Sequence, residues 1–479
     1  MKALNGRLRL GSLALLTAGS LLAAGATAAS AQNPFTTLDH TTNARVDFSS
    51  AQRGSPIEAG SQVNVSGQGF KAGQKVDLVY GTTKLNTTDI VADAEGKISA
   101  TIAIPAGAVS GTYPIVVLVE EPYYAAVTKL KVSPTVPLAG QDKYTVKTVG
   151  VVRGLYQSAF SPKNNTLFVT AAIGRPPVKD SELLKLNADT LAVVSRISPA
   201  AAPAREGGPP PAADDDGRPG LYAVYGVGVD DSKDTVWVTN TRQNTVSVYK
   251  QSDLSLIKQF APGTVPHARD IAVDQKLGKV YSTAVGSTEL VVIDTNTLEV
   301  AKPVTLQSKV RGEDFSAGSL SLNADAHKLY VVSLSTNEVA VINTQTDQVE
   351  NVFAVPGATG AIGVSHDPQT GRIFVASQGS DNLVVLDGTT GAVIADTPVG
   401  AGALNVVFDP VKRLAYVANR GAGTITVTDP DGRIVANLGP SPLANHVSLG
   451  KNGVIYAVDK SAGVNGVETD EIQRIAPRK

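Results

Sequence analysis

A short β-run carrying one aromatic returns seven times over the C-terminal two thirds of this chain, and that period narrows the possible folds more than any other feature. The runs are Leu167-Phe168-Val169-Thr170, Val236-Trp237-Val238-Thr239-Asn240, Val280-Tyr281-Ser282-Thr283, Leu329-Tyr330-Val331-Val332, Ile373-Phe374-Val375-Ala376, Ala415-Tyr416-Val417-Ala418-Asn419 and Ile455-Tyr456-Ala457-Val458. Their aromatics lie 69, 44, 49, 44, 42 and 40 residues apart. The first interval is long because it holds an insertion at 198–220, rich in Pro, Ala, Gly and Asp. Its composition reads as a surface loop.

Inside each unit the order is constant. An inner strand comes first, as in Ile271-Ala272-Val273-Asp274 or Val406-Val407-Phe408-Asp409, followed by a turn such as Asp367-Pro368-Gln369-Thr370-Gly371. The aromatic strand is next. A polar loop leads to a third strand ending in Asp or Asn, such as Val291-Val292-Ile293-Asp294, and another turn leads to a weaker fourth strand, as at 348–352. Four strands in about 40–45 residues is the arithmetic of a β-propeller blade. The expected fold is therefore all-β, with a seven-bladed β-propeller over 143–479. A β-sandwich array also satisfies strand periodicity, but the constant four-strand unit favours the propeller. Gly228, Ala272, Ser321, Gly363 and Ser448 give the inner strands the small residues that crowding about an axis requires. The last unit is one strand short. Residues 144–149 are expected to supply it, closing the ring and removing its edges.

Composition sets outer limits. The 479 residues carry a net charge of -1, so there is no global basic field for wrapping duplex nucleic acid. Hydrophobic residues make up 42% and charged residues only 18%, which excludes a disordered chain. There is no cysteine, and with it no disulfide, zinc–thiolate site, iron–sulfur cluster or thiol nucleophile. Lys2, Arg7 and Arg9, an apolar stretch at 10–24 and Ala29-Ser30-Ala31 before Gln32 read as a Sec signal peptide over 1–31. A membrane anchor is the competing reading. The expected location is periplasmic or secreted.

Val236-Trp237-Val238-Thr239-Asn240, with Asn244-Thr245-Val246-Ser247-Val248 after it, resembles the YVTN repeat, as do the runs at 415–419 and 329–332. The stretch from about Tyr144 to Lys479 is similar to YncE-like periplasmic propellers. That resemblance implies the propeller fold and, through the nucleic-acid binding associated with such propellers, single-stranded nucleic acid among the candidate ligands. Residues 40–134 lack the repeat. Strands such as Gln62-Val63-Asn64-Val65-Ser66 and Lys75-Val76-Asp77-Leu78-Val79-Tyr80 predict an immunoglobulin-like β-sandwich there. Residues 63–75 also resemble bacterial Ig-like modules with a Ser-Gly-x-Gly-Phe turn. This implies a spacer or adhesive arm, with an envelope protein as possible partner.

Local catalytic motifs are missing. The five histidines (His40, His267, His327, His366 and His446) show no metal-binding spacing, and no nucleophile elbow or Walker loop is present. Asp214-Asp215-Asp216 lacks the spacing of a calcium loop and reads as a solvated acidic patch. No cofactor and no metal are expected. In a propeller, the loop entering each inner strand and the loop after each aromatic strand share one face. That rule gathers Arg153, Tyr156, Tyr222, Tyr225, Arg242, His267, Arg269, Arg311, Glu313, Asp314, Phe315, Arg420, His446 and Lys460. Arginine forks suit carboxylate or phosphate, and aromatics suit rings or bases. The expectation is a binding or scaffold protein whose axial mouth takes an anionic small molecule, a peptide, an envelope fragment or single-stranded nucleic acid. The alternatives are an enzyme, with Glu313 or Asp314 paired to His267 or His446 as acid and base, and a pure interaction module acting through the Ig-like arm. Some of these arginines have a structural alternative as well, pairing with Glu313 and Asp314 or bracing neighbouring blades.

Overall fold

Strands dominate the computed structural model because β-branched and aromatic residues alternate through the repeat and turn-formers separate them. The structure describes residues 43–52, 54–120, 122–204, 216–464 and 466–478. The leader reading at 1–31 and the centre of the insertion lie outside the described residues.

Seven antiparallel sheets follow one another in the repeat region. Sheet one runs Leu155–Ser161, Thr166–Ile173, Asp180–Asn187 and Val193–Ile197. Sheets two to six repeat this meander from inner strands Val227–Asp230, Ala268–Asp274, Ala317–Asn323, Ala361–His366 and Ala403–Asp409. The outer edge of sheet three is divided between Glu299–Val300 and Val304–Thr305. Sheet seven takes His446–Leu449, Ile455–Val458 and Glu471–Pro477 from the end of the chain. Its fourth strand, Tyr144–Gly150, comes from before sheet one and pairs antiparallel with Glu471–Pro477.

The core lies between neighbouring sheets. Trp237 and Phe260 of sheet two pack with Ala268 and Ile271 of sheet three, and Tyr281 of sheet three packs with Phe315 and Leu329 at sheet four. The series ends where it began, with Tyr456 and Ile472 of sheet seven packed on Leu155 and Leu167 of sheet one. The repeated aromatic is a key into the next sheet. Tyr281 donates its hydroxyl proton to Asp347 Oδ1 (2.7 Å), and Tyr456 donates to the Ala188 carbonyl (2.8 Å). Burying each such ring stabilises by about 1.5–3 kcal/mol. The recurrent Asp at strand ends has an equally local cause. Asp230, Asp274 and Asp409 each accept two turn N–H groups on Oδ1, which stops the strand and reverses the chain.

Residues 43–133 form a separate pair of sheets. Arg45–Ser50, Gln62–Gln68 and Lys97–Ala103 make one; Lys75–Tyr80, Gly111–Val119 and Tyr124–Val132 lead the other. Val63, Val65, Leu78, Ile98, Ile115 and Val117 fill the space between them. The connection to the ring is pinned. Ala139 exchanges both backbone hydrogen bonds with Asn437 of sheet six, and Lys131 Nζ bonds Asp381 Oδ1 (2.7 Å) and the Gln378 carbonyl (3.0 Å) of sheet five. Asp216 of the acidic trio pairs with Lys179 and Arg218, tying the described end of the insertion to sheet one.

Two truncations test this architecture. A chain starting at Ala139 keeps all seven sheets and should melt cooperatively with β-type circular dichroism. A chain starting at Val151 loses the closing strand, leaves Glu471–Pro477 as an open edge, and should melt at least about 10 °C lower. Equal melting temperatures for the two would show that the ring does not need Tyr144–Gly150.

Candidate functional site

Every inner strand starts at the same end of the ring, so the residues opening it lie with the hairpins joining second and third strands. A register shift sits near that end in five of the seven inner strands, between Leu155 and Ser158, Ala268 and Ile271, Ala317 and Leu320, Ala361 and Gly363, and Ala403 and Asn405. Bulges of this kind re-aim side chains. Here they present Tyr156 and Gln157 on sheet one and Arg269 and Asp270 on sheet three.

From sheet two, Arg242 Nε donates to the Tyr225 hydroxyl (3.4 Å). The Tyr225 ring meets Tyr156 edge-on, with centroids 5.1 Å apart. Lys460 Nζ of sheet seven stands 5.8 Å from the centre of the Tyr156 ring. Asn445 donates to the Tyr156 carbonyl (2.7 Å) and accepts from Arg420 of sheet six. Sheet three adds His267 and Arg269. Burial first, then Arg242 and Arg269, push the His267 imidazolium below its ordinary value. Burial likewise lowers Arg420. Burial, opposed by Asp470 and assisted by Arg420, brings Lys460 down to about 8.

The charge at this mouth is unbalanced. Several arginines elsewhere sit on carboxylates: Arg413 on Asp367, Arg372 on Asp431, Arg433 on Asp429. Among the described residues, Arg242, Arg269, Arg420 and Lys460 have no carboxylate within ion-pair distance. Arg269 Nε is buried and has no hydrogen-bond partner.

Below the mouth, side chains link the inner strands into a circuit. Gln157 accepts from Val227 N–H (3.2 Å) and donates to Asp270 (3.3 Å), which also accepts Leu320 N–H (3.1 Å). Ser321 meets His366 Nδ1 (2.9 Å), Ser365 accepts Phe408 N–H (2.9 Å), and Asn405 accepts Val447 N–H (2.9 Å). His446 Nδ1 accepts Ser158 N–H (3.4 Å), which returns the circuit to sheet one and places the imidazole proton on Nε2. Burial raises the Asp270 carboxyl, and burial followed by Arg269 holds His446 at about 3. Part of each side chain remains open along the axis.

The structure thus brings together Tyr156, Tyr225, Arg242, His267, Arg269, Arg420, His446 and Lys460. It leaves Arg153, Arg311, Glu313 and Asp314 as exposed loop residues whose side chains make no hydrogen bond or ion pair among the described residues, so neither carboxylate pairs with His267 or His446. Phe315 is fully buried between sheets three and four, and Tyr222 is buried, its carbonyl accepting from Asn240. The residues that sequence reasoning missed are Gln157, Asp270, Asn405 and Asn445. A usable signal existed for the first three. Four residues before each inner-strand turn stand Gln157, Gly226, Asp270, Ser319, Gly363, Asn405 and His446. The glycines in that layer are steric necessities, since a Cβ on Gly226 would meet the Arg269 carbonyl oxygen at 2.6 Å. Among the described residues no group of three or more His, Asp or Glu is arranged to hold a metal ion.

No family model matches the chain, and no curated protein matches it. Solved structures do. Virginiamycin B lyase from Staphylococcus aureus is similar with a TM-score of 0.52 and 13% identity, over 70% of this chain and 100% of that one. Hydrazine synthase of Kuenenia stuttgartiensis gives 0.51 and 16%, over 65% and 94%. U3-55K gives 0.52 and 11%, over 70% and 98%. These are β-propeller-like proteins, and at such identities the likeness is one of fold alone.

The circuit makes an acid prediction. His446 is held at about 3 with Arg269 facing it. His366 is held at about 4 by burial, partly offset by Asp367, and stacks on Tyr330. Both lie below the unfolded value near 6.5, so the unfolded chain takes up protons that the fold refuses. The stability they support is complete above that value and is lost as pH falls through 6.5 toward 4 and 3, at about 1.4 kcal/mol per pH unit for each imidazole. Asp270, raised by burial, works the other way at the acid end. Urea titrations of H446Q/H366Q should show a shallower slope between pH 6.5 and 4 than the parent; parallel slopes would contradict the assignment.

Proposed function

We propose that this chain is an exported ligand-binding propeller with seven blades and an immunoglobulin-like arm, and that the ring's mouth grips an anionic ligand. The carrying observation is Arg269, whose Nε is buried without a partner beside three other unpaired cations. A buried Nε–H lacking an acceptor is costly, and an incoming carboxylate or phosphate supplies one through a charge-assisted hydrogen bond, worth about 1.5–3 kcal/mol. Tyr156 and Tyr225 offer an aromatic wall to a planar part of the ligand. With a net charge of -1 and so no extended basic field beyond this cluster, a compact anion suits the site better than a long nucleic-acid strand.

Several observations support the rest of this reading. Seven consecutive sheets, closed by strand exchange, support seven blades; the YVTN-like runs at 236–240 and 415–419 support membership of the YncE-like propellers. Two antiparallel sheets over one apolar core support the Ig-like arm at 40–134, acting as spacer or as contact to an envelope protein. The leader pattern at 1–31 supports export to the periplasm.

Calorimetric titration with inorganic phosphate, succinate and citrate tests the grip. At least one should bind, more weakly as salt rises. R269A should weaken it about tenfold or more, with R269K recovering only part because the fork is lost. The melting temperature of unliganded R269A should stay close to that of the parent, since the variant breaks no ion pair. Unaltered affinity with a lower melting temperature would make Arg269 a brace between sheets.

A further inference from the structure

Lys460 differs from the other cations of the mouth in carrying a proton it can lose. It follows the second strand of sheet seven, in a loop clamped at both ends by buried carboxylates. Asp459 Oδ1 accepts the N–H groups of Ser461 and Glu471. Asp470 uses Oδ1 for Ala462 N–H and Oδ2 for those of Gly154 and Leu155. These bonds fix the Lys460 backbone; both Asp470 oxygens accept from amides, whereas Asp459 uses Oδ1 and keeps a buried Oδ2 without a partner. The Lys460 amine makes no hydrogen bond or ion pair among the described residues, and it is only partly buried, so solvent and solutes reach it. The Tyr156 ring forms one wall. Arg420 reaches the same residue by donating to Asn445, which in turn donates to the Tyr156 carbonyl (2.7 Å).

We propose that Lys460 is a nucleophilic amine that adds to the carbonyl carbon of an α-oxo acid whose carboxylate is held by Arg420. The inference rests on the anion-gripping mouth and names a ligand class for it. An amine becomes a nucleophile at neutral pH when it is desolvated or placed beside another cation. At Lys460 burial outweighs the opposing Asp470 carboxylate, Arg420 adds to it, and the ammonium is lowered to about 8. An arginine next to that amine selects a carbonyl with a carboxylate on the adjacent carbon. In the step itself, the nitrogen lone pair forms the C–N bond and the carbonyl π pair moves to oxygen. The proton leaving nitrogen reaches that oxygen through solvent at the open mouth. The carbinolamine oxygen then takes a second proton from solvent and leaves as water, giving a protonated imine. No oxidant or cofactor is needed, and hydrolysis returns the free amine.

The test traps the imine in the full chain. Glyoxylate with sodium cyanoborohydride converts it to a stable carboxymethyl-lysine, mapped by peptide mass spectrometry; formaldehyde with the same reductant is the uncharged comparison. Glyoxylate should label Lys460 at least about tenfold faster than exposed lysines such as Lys302 or Lys451, and formaldehyde labelling should rise with pH around 8. K460R, or K460Q if that variant folds poorly, should lose the preferred label. At pH 9.5, where the amine is free in both proteins, R420A should slow glyoxylate at Lys460 by about tenfold and leave formaldehyde nearly unchanged. Labelling of Lys460 no faster than of surface lysines overturns the nucleophile, and phosphate or carboxylate binding lost in R269A would leave the anion reading intact. Fast labelling by both reagents, indifferent to R420A, overturns the α-oxo acid as the ligand class.

Discussion

Seven residue pairs between Tyr144–Gly150 and Glu471–Pro477 carry the whole ring. Each sheet alone has one inner and one outer edge and apolar faces too narrow to be stable. Stacked in sequence, the sheets bury those faces against their neighbours, but an open stack still ends in two exposed faces. Joining the first and last strands in one sheet fixes the final sheet against the first and places Tyr456 and Ile472 on Leu155 and Leu167. The mouth depends on the same closure. Arg242, Arg269, Arg420 and Lys460 belong to sheets two, three, six and seven, and only a closed ring brings them to one end.

The circuit beneath the mouth shows how the ring holds a hydrophilic axis. Inner strands crowd together, and their side chains exchange hydrogen bonds with the backbone of neighbouring sheets, so that buried amides are satisfied across sheet boundaries as well as within them. Cationic side chains are then layered above this floor, where burial raises the Asp270 carboxyl and lowers the His446 imidazolium.

Much of this was legible in the sequence because its causes are local. The aromatic of each second strand, the Asp closing inner and third strands, and the spacing between them all act within one unit, so they recur. The missing strand was legible by subtraction, because the last unit was incomplete. The axis was not legible in the same way. Its layer changes residue from sheet to sheet (Gln157, Gly226, Asp270, Ser319), since each side chain answers a different neighbour. Asp270 stands immediately before the inner strand read at 271–274, and nothing next to it in the chain marks it as a link to sheets one and four. Arg311, Glu313 and Asp314 were grouped with the mouth by loop position alone, while Phe315, anchored in the core, leaves the preceding loop at the surface. A polar residue repeated at one register position is a better guide to an axis than a charged residue in a loop.

Strand exchange also has a consequence in time. A chain synthesised from its N-terminus makes Tyr144–Gly150 before any of the seven sheets, yet its partner Glu471–Pro477 is made last. Until then the early strand has no edge to join, and sheet one has no neighbour on its far side. The contacts that complete the ring are those most distant in sequence, a topology that slows folding and delays cooperativity until synthesis is finished. The ring cannot lock before its last strand is made.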